Sequence, residues 1–431
     1  MNFLLKGLYN ILLLPLASIR LSYKIYKDKS YKEAANERYG FFNKNKIKSY
    51  INNTDILLHV VSLGEFIASE KVVTKLIEKY PNKKIVITCT TPTAREKISQ
   101  RFKLNEIFFC YLPYDNKFII RKFINKLKPK IAIFVEKEIW PNLYDSLKDI
   151  NSKIIIINAS LTNRSFKSYE KINKLILPSI QNIDYICAQD ETSANNFKKL
   201  GLEKNKISVY GNIKNDIEYP RDLEKLSSEY SEVLKLNNKT VIIAASTHET
   251  EEKAIVESFI ELKSKYSNLY LIIAPRHPHR FQHIYKLIES YKLESIRFTD
   301  LDNSKSHKSE VLLLDTIGKL LYFYKLANIA FVGGSLVENI GCHNILEPAM
   351  FKLPIIIGPH YFNFTSVVEN FKNNSAINIA SNNDLTKILD NLLADKQLIK
   401  TQGKAAFDEF LKGKGALDKT LIKLGNFIKS S

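Results

Sequence analysis

The chain has 431 residues, of which 45% are hydrophobic and 25% are charged. This composition excludes a disordered or fibrous protein and suffices for two globular domains of about 200 residues each. Its formal net charge of +19 predicts an acidic partner or surface, unless it only reflects a lysine-rich residue usage. The four cysteines lack CxxC or Cys/His ligand spacing, which argues against a disulfide framework or a zinc site and favours a reducing, cytosolic environment.

Residues 1–34 are predicted to anchor the chain at a membrane. They contain the apolar run GLYNILLLPLASI, which lies between Lys6 and Arg20 and is shorter than the roughly 20 residues of a membrane span. A cleaved signal peptide and an ordinary buried first helix are the alternatives. Because the run has no clear cleavage site and a basic cluster follows it, anchoring at an anionic membrane surface is favoured.

Residues 35–215 are predicted to form a Rossmann-like α/β domain. Apolar runs typical of buried strands occupy residues 55–61, 84–88, 131–135, 153–158, 185–188 and 207–210. Helical stretches separate them, beginning with residues 66–80. Strands that are apolar throughout and alternate with helices belong to a parallel sheet covered on both faces.

A second Rossmann-like domain is predicted over residues 240–431, after a polar linker at 216–239 that contains Pro220. Its predicted strands are 241–245, 269–274, 311–314, 329–332 and 354–357. The fold class is therefore α/β with two doubly wound domains. A ligand crevice is expected at the carboxyl ends of the strands and between the domains.

Three glutamates follow predicted strands of the first domain. Glu65 lies in the motif Ser62-Leu63-Gly64-Glu65, at which a helix is predicted to begin, so it is a candidate general base. A glutamate that only complements the helix dipole is the alternative. Glu136 and Glu138 follow strand 131–135 and indicate acid–base work or hydroxyl binding.

Polar groups also follow the first two strands of the second domain. Ser246, Thr247 and His248 come after strand 241–245, and Arg276 and His277 come after strand 269–274. Hydroxyl, imidazole and guanidinium groups at successive strand ends predict a phosphate site, in which Arg276 makes bidentate contact. A surface arginine is the alternative.

The stretch 332–359 places small and polar residues where strand 329–332 gives way to a predicted helix over 344–352. These residues are Gly333, Gly334, Ser335, Gly341, His343, Asn344 and Glu347. Glycine backbone N–H groups at a helix N-terminus are suited to holding an anion. A plain tight turn is the alternative, but it does not need so many hydrogen-bonding groups.

Further polar residues are predicted to line the cleft, although some of them are equally suited to capping helices. They are Ser62, Gly64, Asn158, Arg164, Gly211, Asn212 and Lys214. The sequence contains no GxxxxGK[ST], HExxH or GxSxG motif, which argues against P-loop NTPases, zincins and α/β-hydrolases. It also contains no recognisable nucleic-acid module, so no nucleic-acid partner is expected.

The order of these motifs resembles the 3-deoxy-D-manno-octulosonic acid (Kdo) transferases of Gram-negative lipopolysaccharide synthesis. The matching words between about residues 37 and 364 include ERYGFF, VSLGE, VEKEIWPN, NASLTNRSFKSY, GNIKND, ASTHETEE, APRHPHRF and GCHNILEPAMFKLPIIIGPHYFNF. Their shared order makes the resemblance specific.

The resemblance implies a GT-B fold, an N-terminal membrane anchor at the cytoplasmic face of the inner membrane, and transfer of Kdo from CMP-Kdo to a lipid A precursor. Glu65 matches the SxGE glutamate that serves as the base, and either Glu136 or Glu138 faces the site. The donor side is implied to contain Arg276, Ser335, Asn344 and Glu347. No cofactor and no metal are expected. The alternatives are a UDP-sugar glycosyltransferase or epimerase, and a non-catalytic basic protein of the membrane surface.

Overall fold

The structure is a computed structural model that describes residues 2–102, 107–302 and 306–430. The chain forms two compact units. The N-terminal unit comprises Met1–Asp216 and Lys414–Ser431, and the C-terminal unit comprises Ile217–Gly413.

The described part of the N-terminal unit contains a seven-stranded parallel sheet in the order β3-β2-β1-β4-β5-β6-β7. Its strands are β1 Ile56–His59, β2 Ile85–Cys89, β3 Phe108–Tyr111, β4 Ile131–Val135, β5 Lys153–Ala159, β6 Tyr185–Ala188 and β7 Ile207–Val209. Most of these strands are rich in isoleucine and are buried on both faces, as the sequence predicted. Strand β3 was not predicted.

Helices cover both faces of this sheet. They are α1 Asn2–Lys27, α2 Lys44–Ile47, α3 Leu63–Lys79, α4 Pro92–Arg101, α5 Lys117–Leu127, α6 Pro141–Asp149, α7 Asn163–Lys171, α8 Asn173–Gln181 and α9 Glu191–Lys199. One core contains Phe123 of α5 and Leu143 of α6. The core on the other face contains Val72 and Leu76 of α3. Helix α3, whose first turn carries Glu65, is therefore fixed to the sheet by apolar packing.

The described part of the C-terminal unit contains a second seven-stranded parallel sheet, in the order β10-β11-β9-β8-β12-β13-β14. Its strands are β8 Thr240–Thr247, β9 Leu269–Pro275, β10 Ser295–Arg297, β11 Val311–Leu313, β12 Ile329–Val332, β13 Ile355–Ile357 and β14 Asn378–Ile379. Its helices are α10 Leu223–Val233, α11 Glu251–Lys265, α12 Phe281–Ser290, α13 Leu320–Tyr324, α14 Leu346–Met350, α15 Thr365–Asn373, α16 Leu385–Ala394 and α17 Lys396–Lys412. The prediction of two doubly wound α/β domains is confirmed.

The predicted linker over 216–239 is wrong for residues 223–233. Helix α10 occupies this stretch and buries Leu223, Tyr230 and Leu234 in the core of the C-terminal unit. Its apolar residues recur at helical spacing, which outweighs the polar residues and Pro220 that suggested a linker.

The last helix, α18 Ala416–Lys429, corrects the predicted boundary of the second domain at residue 431. Its side chains Leu417, Leu424 and Ile428 are buried in a core of the N-terminal unit. The carboxylate of Asp216 accepts the backbone N–H groups of Gly415 and Leu417, each at 2.5 Å. The residue at which the chain leaves the N-terminal unit therefore also caps the helix that returns to it.

The predicted anchoring segment forms α1, which continues through Pro15. Over the residues that the structure describes, none of the helices combines the length and hydrophobicity needed to cross a membrane.

Candidate active site

The first group of candidate residues lies where β1 ends and α3 begins. Ser62 caps α3 by accepting the backbone N–H of Glu65 on its hydroxyl. The Glu65 carboxylate in turn accepts the backbone N–H of Val61. Its side chain is held back over the helix N-terminus, and Glu65 is only 8% exposed. Gly64 next to it is exposed, so no close contact at this position requires a glycine.

Glu136 and Glu138 follow β4 and lie close enough to Glu65 to affect its ionisation. Burial raises the pKa of Glu65 to about 7, and the nearby Glu136 carboxylate contributes to that rise. Burial also raises the pKa of Glu138 to about 7, with the Glu65 carboxylate as the next contribution. Like charges in a partly dry site resist joint ionisation, so this carboxylate cluster retains protons near neutral pH. Glu136 and Glu138 therefore each interact electrostatically with Glu65.

Lys214 balances part of this negative charge. Its ammonium group lies 3.3 Å from the Glu136 carboxylate. Two predicted cleft residues hold the segment that carries it. The side chain of Asn158 accepts the backbone N–H of Ile213 at 2.9 Å, and the side chain of Asn212 accepts that of Lys214 at 3.0 Å. Gly211 has φ of 99°, a left-handed conformation that glycine adopts without strain.

Helix α7 contributes a residue that sequence analysis missed. The predicted Arg164 lies exposed on α7, and no described contact joins it to the carboxylate cluster. Tyr169 on the same helix donates its hydroxyl to the backbone oxygen of Lys137 at 2.8 Å. Burial and the Glu138 carboxylate raise the pKa of Tyr169. Tyr169 belongs to the word NASLTNRSFKSY, but the word alone did not show which of its residues reaches the glutamates.

The second group of candidate residues surrounds the carboxyl ends of β8 and β9. The Nε2 atoms of His248 and His343 lie 2.8 Å apart, and their rings are within 5° of parallel. His277 packs edge-on against His248, with ring centroids 5.2 Å apart. Burial lowers the pKa of both His248 and His343 to about 4, and neighbouring imidazole and guanidinium groups add to this effect. Both rings are therefore neutral near pH 7.

Arg276 supplies the free cation of this group. It is exposed at the end of β9, and no described carboxylate forms an ion pair with it. Its backbone N–H donates to the oxygen of Thr247 at 3.0 Å, which ties the ends of β8 and β9 together. Arg280 differs, because its guanidinium makes two hydrogen bonds to the buried Glu252, at 2.7 and 3.2 Å. Arg276 is the arginine available to an anion.

The glycine loop after β12 does not have the role that the sequence predicted. The fully buried Glu251 accepts the N–H of Gly334 at 2.8 Å and that of Leu336 at 2.9 Å. A Cβ atom at Gly333 would lie 2.6 Å from the same carboxylate. The N–H of Gly333 donates to the backbone oxygen of Ala245, so the N–H groups of Gly333 and Gly334 are both already paired within the protein. Sequence analysis passed over Glu251 because a glutamate in a first helical turn is common.

Ser335 and Thr247 also differ from the prediction of direct donor contacts. The buried hydroxyl of Ser335 donates to the oxygen of Val332 and accepts the N–H of Gly358, both at 2.7 Å. Thr247 is fully buried. Ser246 has φ of 55°, a turn conformation that redirects the chain after β8. The hydroxyl groups of Ser335 and Thr247 lie inside the protein, so these two residues support the loops from within. Ser246 sets the direction of the loop after β8.

Asn344 and Glu347 lie together at the start of α14. The amide of Asn344 donates to the Glu347 carboxylate at 3.1 Å. Burial raises the pKa of Glu347, while Asn344 and Arg276 oppose that rise. Arg276 therefore lies close enough to both His343 and Glu347 to affect their ionisation, and the donor-binding role of the three residues stays a prediction. Over the described residues, no group of three or more histidines, cysteines or carboxylates is placed to hold a metal ion.

Comparison with known proteins identifies the family. A family model described as 3-deoxy-D-manno-octulosonic-acid transferase (kdotransferase) matches residues 33–217. The 3-deoxy-D-manno-octulosonic acid transferase of Haemophilus influenzae is 35% identical over 94% of this chain and 93% of its own. The chain belongs to the 3-deoxy-D-manno-octulosonic acid transferase family. The resemblance seen in the motifs is confirmed, and this Kdo transferase is a glycosyltransferase of lipopolysaccharide biosynthesis.

A solved structure of a glycosyltransferase has a similar fold. A glycosyltransferase from Rickettsia africae has a TM-score of 0.54 at 16% identity, over 88% of this chain and 100% of its own. This likeness shows an architecture like that of GT-B glycosyltransferases. The C-terminal CMP-Kdo binding domain of WaaA from Acinetobacter baumannii is 31% identical, with a TM-score of 0.42, over 44% of this chain and 98% of its own.

Proposed function

We propose that the protein moves Kdo from CMP-Kdo to a hydroxyl group of a lipid A precursor, with inversion and with Glu65 as the general base. The observation that carries this proposal is the buried Glu65 carboxylate, whose pKa is raised to about 7 beside Glu136 and Glu138. A base works best when its pKa lies near the operating pH. Membership of the Kdo transferase family indicates that the transferred sugar is Kdo. The proposed donor of that sugar is the activated nucleotide CMP-Kdo.

The proposed step is a direct displacement. The acceptor hydroxyl passes its proton to Glu65 while its oxygen bonds to the anomeric carbon of Kdo. The bond from that carbon to the phosphate oxygen breaks, its electron pair stays on the oxygen, and CMP leaves as an anion. Arg276 in the C-terminal unit stabilises the negative charge that develops on the phosphate. The paired Asn344 and Glu347 supply hydrogen-bonding groups for donor hydroxyls.

The proposed acceptor lies at the cytoplasmic face of the inner membrane, and the exposed face of α1 supports this location. Lys6 pairs with Asp145, and the hydroxyl of Tyr9 donates to Asp115 at 2.9 Å, so one side of α1 is fixed to the N-terminal unit by polar contacts. The opposite side exposes Ile11 at 72%, Leu16 at 61% and Ile19 at 68%.

A helix with this pattern is suited to lying in the interfacial plane of a bilayer. Its last turn carries Lys24 and Lys27. Basic side chains next to an apolar face add attraction to anionic lipids. Phe41 and Phe118, which are also exposed, belong to the same unit. We therefore propose that α1 lies on the membrane surface and brings the N-terminal unit to the phosphorylated lipid acceptor.

A donor-swap assay tests this function. The full-length protein is incubated with a tetraacylated lipid A precursor and either CMP-Kdo or UDP-N-acetylglucosamine, and nucleotide release is measured. We expect acceptor-dependent release of CMP and no release of UDP. Release of UDP would favour a UDP-sugar enzyme instead. Absence of release from both donors would favour the non-catalytic membrane protein.

A further inference from the structure

The histidine pair of the C-terminal unit carries an inference about how the donor anion is bound. The Nε2–Nε2 distance of 2.8 Å between His248 and His343 is that of a hydrogen bond. We propose that these two imidazoles form a proton-sharing dyad that gains one proton when the phosphate of the donor binds. This inference rests on the proposed function, because it takes CMP-Kdo as the donor.

The chemistry of an N–H···N hydrogen bond defines the protonation states of the dyad. One Nε2 carries a proton and the other accepts it, so the neutral dyad contains one ring whose Nδ1 is unprotonated. An additional proton enters at that Nδ1 and leaves the hydrogen bond between the rings intact. The dyad then carries one positive charge, and both Nδ1 atoms are donors. Phosphate oxygens need donors, so the protonated dyad is the form that binds an anion.

Burial, with the guanidinium groups nearby, keeps the dyad neutral in the free protein. The facing groups are Arg276, His277 and Arg280, and Arg280 is largely neutralised by its pairing with Glu252. The negative groups nearby are Glu251 and Glu347, and both are buried. A bound phosphate offsets the repulsion from Arg276. Binding of the anion therefore favours uptake of the proton.

Glu251 fixes the two loops that hold the rings. One oxygen of its carboxylate accepts the N–H of His248 and that of Gly334, each at 2.8 Å. The N–H of His343 donates to the oxygen of Gly333 at 3.1 Å. Each ring is thus linked through its backbone to the same buried carboxylate. This explains why a carboxylate, rather than a substrate phosphate, occupies the glycine loop: it positions the dyad.

Isothermal titration calorimetry with CMP tests the dyad in the full-length protein. Titrations at about pH 7 in two buffers of different ionisation enthalpy give the number of protons taken up per CMP bound. We expect wild-type protein to take up about one proton more than His343→Asn or His248→Asn. The exposed His283 on α12 supplies the matched control, His283→Asn, which should match wild type.

The outcomes separate this inference from the proposed function. If CMP binds and proton uptake is the same in wild type and in both dyad variants, the dyad proposal is wrong and the donor assignment stands. If CMP does not bind to wild type at all, the donor assignment falls and the dyad proposal falls with it.

A second measurement covers the case in which the variants do not fold. Imidazole ¹⁵N chemical shifts of wild-type protein are recorded with and without CMP. We expect the Nδ1 nitrogens of the histidine pair to move from neutral values towards protonated values on binding. Unchanged shifts in a CMP-saturated sample would contradict the proposal. A merely structural role of the rings would leave these shifts at neutral values.

Discussion

Glu65 must be buried to be a strong base and ionised to be a base at all. Replacing it with glutamine keeps its shape but removes proton acceptance. We expect Glu65→Gln to lower the turnover of CMP-Kdo by about 100-fold or more, the usual contribution of a general base. The affinity for CMP should stay unchanged, because the residues proposed to bind CMP lie in the C-terminal unit. Steady-state kinetics and CMP titration check this. The exposed Glu78 on α3 gives the control, Glu78→Gln.

The pH profile of the reaction follows from the same carboxylates. The pKa of Glu65 is raised to about 7, so the base is protonated below that pH. Activity should therefore rise as pH increases through about 7 and level off above it. Turnover at saturating donor and acceptor, measured against pH, checks this limb. A rate that is flat down to about pH 5 would contradict the raised pKa of Glu65, because it is the profile of a glutamate with an ordinary pKa.

Burial of Glu138 also has a consequence for stability. Its pKa rises from 4.5 to about 7 on folding, so the folded state binds a proton more tightly than the unfolded state. That stabilisation is complete below the unfolded pKa and is lost as pH rises through the folded one. We expect Glu138→Gln to stabilise the protein relative to wild type at about pH 8 more than at about pH 5. Urea unfolding at both pH values measures the difference. Equal effects would contradict the raised pKa.

At the residue scale, strand ends predicted three carboxylates at one edge of the sheet, but they left open whether Glu136 or Glu138 faces the site. Glu65, Glu136 and Glu138 each follow a central strand, and parallel strands end at one edge of the sheet. The partner of the glycine loop was not predictable in this way. Glu251 reaches Gly334 across a gap of 83 residues, and local sequence holds no information about such a pairing. The same limit applies to the Ser335 hydroxyl, which meets Gly358.

At the element scale, α18 is expected to support the unit that carries the carboxylate cluster. Leu424 is fully buried there against residues of the first half of the chain. We expect Leu424→Ala to lower the free energy of unfolding by about 2–5 kcal/mol, because it leaves a cavity. Urea denaturation measures this. The exposed Lys419 on the same helix gives the control, Lys419→Ala, which should have little effect. Equal stability of both variants would contradict the packing of α18.

Helix α1 gives a test of the membrane proposal. Replacing the exposed Ile11, Leu16 and Ile19 by serine should weaken binding to vesicles containing phosphatidylglycerol by at least about tenfold. A tenfold change in affinity corresponds to about 1.4 kcal/mol, and half the transfer free energy of three such side chains is already larger than that. Vesicle co-sedimentation measures binding, and circular dichroism checks that the fold is kept. Ile422 on α18, 64% exposed, gives the control Ile422→Ser. If the triple variant binds the vesicles as well as wild type does, the proposal that α1 lies on the membrane surface is wrong.

Central elements were predictable from sequence and peripheral ones were not. Central strands such as β4 and β12 are runs of apolar residues buried on both faces, and they were predicted to the residue. The missed strands β3, β10 and β14 are edges or short segments, where fewer buried side chains leave a weaker pattern. Helix α10 was not predicted, because the polar residues on its exposed side made the stretch resemble a linker.

At the scale of the whole molecule, the proposed reaction draws on both units. The carboxylate cluster belongs to the N-terminal unit, and Arg276 and the histidine pair belong to the C-terminal unit. The chain crosses between the units next to Asp216 and returns at Lys414. Composition predicted two domains, but it did not show that the last helix returns to the first, because that depends on which core its apolar face completes.

Mass spectrometry of the lipid product tests the central claim most directly. Wild-type protein is incubated with CMP-Kdo and a tetraacylated lipid A precursor, with Glu65→Gln treated in parallel. We predict a lipid whose mass increases by a whole number of Kdo residues with wild type, and lipid of unchanged mass with the variant over the same time. An unchanged lipid mass in the wild-type reaction would contradict Kdo transfer to this acceptor.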